Sequence, residues 1–135
     1  MEGLKAAVAD AASMAYSKAA VESKENEPLY SVELGGGEHG NLQYGYPTTD
    51  TSGLVQFMEL NEGYHDLSKE WVWAAHNHGT VSTPDYWIAT QSKVLGNYSG
   101  SDFNSAIEST KCYVKYTAAM EESAQIEVIS ETSGC

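Results

Sequence analysis

The 135-residue chain contains no arginine; its seven basic residues are all Lys, set against 19 Asp and Glu for a net charge of −12. That lack excludes several partner classes. Nucleic-acid binders displace counterions with a cationic face and read bases best with guanidinium forks. Clamps on several phosphates draw on the same forks. Anionic membranes repel so acidic a surface. Neither nucleic acid nor membrane is therefore expected as a partner. No apolar run approaches the roughly 18 residues that cross a bilayer, and no basic segment leading into an apolar block marks a signal peptide. Cysteine is scarce too: Cys112 and Cys135 form no CxxC pair, which excludes a thiolate zinc site. The expectation is one buried strand thiol and one thiol at a frayed terminus; pairing would instead point to an oxidising compartment.

What is present is a globular composition. Hydrophobic residues make up 41%, with nine Tyr and three Trp, enough to bury the core of a single domain spanning 1–135. Residues 3–21 are Ala-rich, with Leu4, Val8, Ala11, Ala15 and Ala19 near i, i+4 spacing, which predicts a first helix. Pro28 closes the polar run that ends it. Leu29 to Leu34 reads as a strand, the glycine-rich stretch from Gly35 to Gly40 as its turn, and Asn41 to Tyr46 as the returning strand. Leu54 to Leu60 suits a short strand, and Asn61 to Lys69 a loop. Trp71 to Ala75 is a near-continuous apolar run, the best candidate for a buried central strand. Thr83 as N-cap and Pro84 at the first helical position predict a helix ending near Gly96. A short helix from Ser101 and a last hairpin, 111–117 with 125–130, complete the reading. The order predicts an α+β fold with a mixed, mostly antiparallel sheet, an N-terminal helix and a helix after the central strand.

The chemistry gathers at the end of that central strand. His76 and His78 are i and i+2, so on a strand both imidazoles point to one face, about 6–7 Å apart. Asp85 follows seven residues later. Two His and a carboxylate, with one position left for water, is a catalytic-zinc pattern. Such a metal brings the pKa of its water to about 7 and polarises a carbonyl. Each part has a plainer use: an acid near a helix start suits the macrodipole, and Ser82 with Asp85 has capping-box-like spacing. The three Trp read as core, and His39 and His65 as surface loop residues.

Taken together, Glu33-Leu34-Gly35-Gly36, His76-Asn77-His78-Gly79 and Ser82-Thr83-Pro84-Asp85 resemble the JAB/MPN (JAMM) metallopeptidase superfamily. More narrowly, the chain looks like the JAB-like domains of bacterial Rhs and polymorphic-toxin proteins. The resemblance spans the whole length and implies a cytidine-deaminase-like layout. It implies that His76, His78 and Asp85 hold Zn²⁺, and that Glu33 is the general base for the metal-bound water, with Glu38 as its competitor. It also implies that Ser82 steadies the oxyanion. The implied function is a zinc-dependent amide hydrolase, a peptidase or isopeptidase, acting as a bacterial effector or toxin domain. Its partners would be a peptide, protein or cell-wall peptide substrate and a cognate immunity protein or delivery partner. Two departures stand out. Gly79 occupies the position of the family's usual Pro, and only three residues separate His78 from Ser82. The alternative, from charge, is an acidic non-catalytic binding or immunity-type protein on the same fold, steered to a cationic partner.

Overall fold

A computed structural model describes all 135 residues. The first helix, α1 (Glu2–Val21), buries Leu4, Val8, Ala11, Ala12, Ala15 and Ala19. These mostly small side chains let neighbouring elements approach its axis closely. Two strands, β1 (Tyr30–Gly35) and β2 (Glu38–Gln43), form the expected hairpin. Its turn is tighter than expected. Gly35, Gly36 and Gly37 all take positive φ, the region where a Cβ is costly; Glu38, His39 and Gly40 belong to β2. The short β3 (Tyr46–Pro47) completes a three-stranded antiparallel sheet.

The second sheet has five strands in the order β4-β5-β6-β7-β8. β5 (Trp71–His76) is an interior strand, as expected of its apolar run, but it is second in the order; the central strand is β6 (Tyr86–Gln91), paired antiparallel with it. The strands β7 (Tyr113–Thr117) and β8 (Glu127–Glu131) form the expected last hairpin. On the other edge, β4 (Glu62–Tyr64) runs parallel to β5, so this sheet is mixed. The fold is α+β, with one antiparallel and one mixed sheet where a single sheet was expected.

Four further expectations need correction. The helix placed over 84–96 is strand β6, followed by a single helical turn, α2 (Ser92–Leu95). Aromatic and β-branched residues suit a strand, and Trp87, Ile88, Ala89 and Thr90 are buried on both faces of the sheet, which erases any period. The strand expected over 54–60 is instead a 3₁₀ turn at Leu54–Phe57. Leu54 and Phe57 are both buried, and i, i+3 residues eclipse in that conformation. The loop over 61–69 contains β4. Finally, Cys112 and Cys135 are joined in a disulfide. The β7–β8 hairpin carries the C-terminus back to the start of β7, where the Gly134 N–H also donates to the Lys111 carbonyl at 2.8 Å.

The layers follow from alternation along the strands. Trp73, Trp87, Ala89, Val114 and Tyr116 face α1 and, with Val32, Leu42, Leu54 and Phe57, build the main core. Val72, Ala74 and Ile88 face the other way and are covered by Phe103 and Ile107 of α3 (Phe103–Ser109). Asp102 caps α3 by accepting from the Ser105 N–H at 3.1 Å. The Tyr116 hydroxyl, wholly buried, donates to the Pro47 carbonyl at 2.7 Å and ties the two sheets together. No helix is long and apolar enough to cross a membrane.

Candidate functional site

The connection from 77 to 85 joins β5 to β6 and carries most of the candidate residues. His76 is the last residue of β5, directly opposite Tyr86. His78 lies beyond the strand with φ +61, so the i, i+2 rule that would place both imidazoles on one face does not apply. The His76 ring rests against Tyr86, with centroids 5.7 Å apart and planes inclined by 20°. His78 is exposed.

Asp85 is held from three directions. Its Oδ1 accepts the Gly79 N–H at 2.6 Å. Its carbonyl accepts the Ala118 N–H at 2.9 Å, and its own N–H points to Met120 Sδ at 3.4 Å. Buried to all but 7% of its surface, it pins the loop to the start of β6 and to the end of β7. Asp85 therefore opens a strand, where a helix start was expected. Ser82 is exposed, its hydroxyl 3.1 Å from Thr80 Oγ1. Thr80 and Thr83 close a small turn on themselves: the Thr80 N–H donates to the Thr83 carbonyl at 3.0 Å, and the Thr83 N–H to Thr80 Oγ1 at 3.2 Å. The N-cap chemistry read in the sequence is thus spent inside the loop.

Glu33 sits apart. It lies on the exposed side of β1, in the three-stranded sheet, opposite His39. Glu38 is exposed two residues beyond the glycine turn at Gly36. The small sheet's following loop does reach the site: Thr49 is buried, and its hydroxyl donates to the His76 carbonyl at 3.4 Å and to the Asn77 side-chain oxygen.

The residue types fit a zinc ion; their placement does not. No three His, Cys, Asp or Glu side chains in the chain stand close enough to share a metal. One Asp85 oxygen is engaged by Gly79, and the His76 ring by Tyr86.

Sequence reasoning missed the neighbours on the α3 side. Beside His76 lies an open cleft of about 260 Å³, lined by His76, Thr83, Pro84, Tyr86, Lys115 and Thr117. Lys115 Nζ stands 4.3 Å from the centre of the Tyr86 ring. Asn104 of α3 donates to the Ala75 carbonyl at 3.1 Å and to the Tyr86 hydroxyl at 3.0 Å. Burial first, and then the carboxylates Glu108 and Asp102, raise the Tyr86 pKa against the opposing Asn104 bond, so the phenol stays neutral. The alternation Tyr113-Val114-Lys115-Tyr116-Thr117 does place Lys115 and Thr117 on one face, but which face meets the His pair is settled only by strand order.

His65 also departs from expectation. Far from being a surface residue, it is half-buried and stacked between Tyr64 at 3.9 Å and Phe103 at 4.5 Å. Its Nε2 is buried without a partner, and burial lowers its pKa from the ordinary 6.5. His39 is exposed on β2.

Comparison with family models, with curated proteins and with solved structures finds no match to this chain.

Proposed function

We propose that the chain is a zinc-dependent amide hydrolase, a peptidase or isopeptidase, centred on the β5–β6 connection. One observation carries the reading. The end of β5 and the single connection that follows deliver His76, His78, Ser82 and Asp85 in the order of the JAB/MPN series, with Asp85 bonded to the residue after His78. Gathering the ligands means giving up the His76–Tyr86 contact and the Gly79–Asp85 hydrogen bond. Those losses amount to about 2–4 kcal/mol. The roles of Glu33 as general base and Ser82 as oxyanion donor rest on the resemblance, as does the JAB/MPN-like assignment of the fold. The same reading makes the chain an effector or toxin domain with a cognate immunity protein. A disulfide is in keeping with export to an oxidising compartment.

Elemental mass spectrometry on the wild type and His76→Ala tests this. A single zinc per chain, lost in the variant, is expected; zinc in neither protein after zinc is supplied would overturn the reading. Glu33→Gln should then keep the metal and lower amide hydrolysis by about 10²–10⁴-fold.

The second reading, an acidic non-catalytic binding protein, is favoured by the net charge of −12 together with the unassembled ligand set. Its mark is binding to a cationic partner that survives His76→Ala and collapses with added salt.

A further inference from the structure

A lysine in the interior of a sheet is unusual in a chain with only seven of them. Lys115 occupies the middle of β7, between β6 and β8, on the face that α3 covers elsewhere. The cover ends before the strand ends do. Phe103 and Ile107 seal Val72, Ala74 and Ile88, while His76, Tyr86, Lys115 and Thr117 are left as the floor of the cleft, with Thr83 and Pro84 of the connection as its rim. Every lining group is neutral or cationic; no carboxylate lines the cleft. On a surface this acidic, a half-buried lysine in a cleft that two threonines also line stands out. Its resting partner is the face of Tyr86, a contact weaker than a charge-assisted hydrogen bond.

The geometry points to a carboxylate-binding subsite in this cleft: Lys115 Nζ takes the carboxylate of a peptide or acylated amino acid, with the Thr117 hydroxyl as a further donor and the Tyr86 ring as an apolar wall. A single carboxylate suits the site better than a phosphate. There is one cation and no guanidinium fork, and Glu108 and Asp102 near the Tyr86 hydroxyl, with Glu127 opposite Thr117, repel a doubly charged ligand about twice as strongly as a singly charged one. Binding stands on the cleft alone. That the ligand is the substrate of the neighbouring His76 rests on the hydrolase reading.

Amide ¹H–¹⁵N spectra of the metal-free protein, titrated with N-acetylalanine and separately with N-acetylalanine amide, provide the test. The acid should shift the Thr83, Tyr86, Lys115 and Thr117 signals saturably, and the amide should leave them in place. Lys115→Gln should weaken binding about tenfold or more, the effect of losing one charge-assisted hydrogen bond. Lys115→Arg should retain it, which separates loss of the cation from loss of the fold. Equal shifts with acid and amide, no saturable shift, or unchanged binding in Lys115→Gln would each overturn the subsite. Because no metal is present, its failure is distinct from a failure to bind zinc.

Discussion

Gly79 has no room for a side chain: a Cβ there would lie 2.1 Å from the Thr83 carbonyl oxygen and 2.8 Å from Asp85 Oδ1. Its N–H is also the donor that holds Asp85. Both facts favour glycine at this position, and proline, with no N–H to give, could not make the bond to Asp85. Gly79→Ala should therefore shift the loop and cost about 1–3 kcal/mol in urea unfolding. Asp85→Ala should cost a similar amount by leaving the Gly79 N–H unpaired. An Asp85→Ala protein as stable as wild type would remove the pinning role. His65 carries a pH dependence. Its pKa is lowered in the folded state, so its contribution is complete above the unfolded value of 6.5 and is lost as pH falls through the folded one. The urea midpoint should drop as the pH falls below the unfolded value of 6.5, and His65→Phe, which keeps the stacking, should flatten that drop. In the sequence, the identities of His76, His78 and Asp85 were plain. What was hidden was the hydrogen bond that commits Asp85, because its partner is a backbone group set by the turn of the loop.

At the scale of elements, the central hairpin explains both a success and an error of pattern reading. β5 was legible because its apolar run is bounded by charged residues on one side and by a polar loop on the other. β6 was not, because a strand buried on both faces loses the period of two, and Thr83-Pro84 has the same letters as a helix start. The two core tryptophans distinguish what burial alone would equate. Trp73 Nε1 reaches Glu62 Oε2 at 3.4 Å, whereas Trp87 Nε1 is buried with no partner. Truncation to Phe removes volume at either site. At 87 it also removes an unsatisfied donor, which offsets part of the cost. Trp87→Phe should destabilise by about 1 kcal/mol and Trp73→Phe by about 2 kcal/mol. Chemical denaturation that reversed this order would show that the two indoles pack differently from the contacts described.

For the whole molecule, the disulfide closes a loop over a sequence separation of 23 and ties the C-terminal end to the start of β7. Chain entropy assigns such a loop about 3 kcal/mol. Reduction should lower the unfolding free energy by that order. It should first loosen β8, an edge strand whose Ile129 is exposed. Hydrogen exchange before and after reduction reads this directly: protection lost uniformly across all strands, rather than first in β8, would contradict it.

Composition and order alone argued against nucleic-acid and membrane partners, set the α+β class, and located the first helix, strand β5 and both outer hairpins, since each of these rests on charge or on local periodicity. Tertiary structure decided the rest. It split the strands into two sheets, turned most of the helix expected over 84–96 into strand β6, and paired Cys112 with Cys135 across the last hairpin. It also set Lys115 beside His76 and left Glu33 on a different sheet. These are contacts between residues far apart in the chain, fixed by strand order and by which face each helix covers, and no local pattern encodes either.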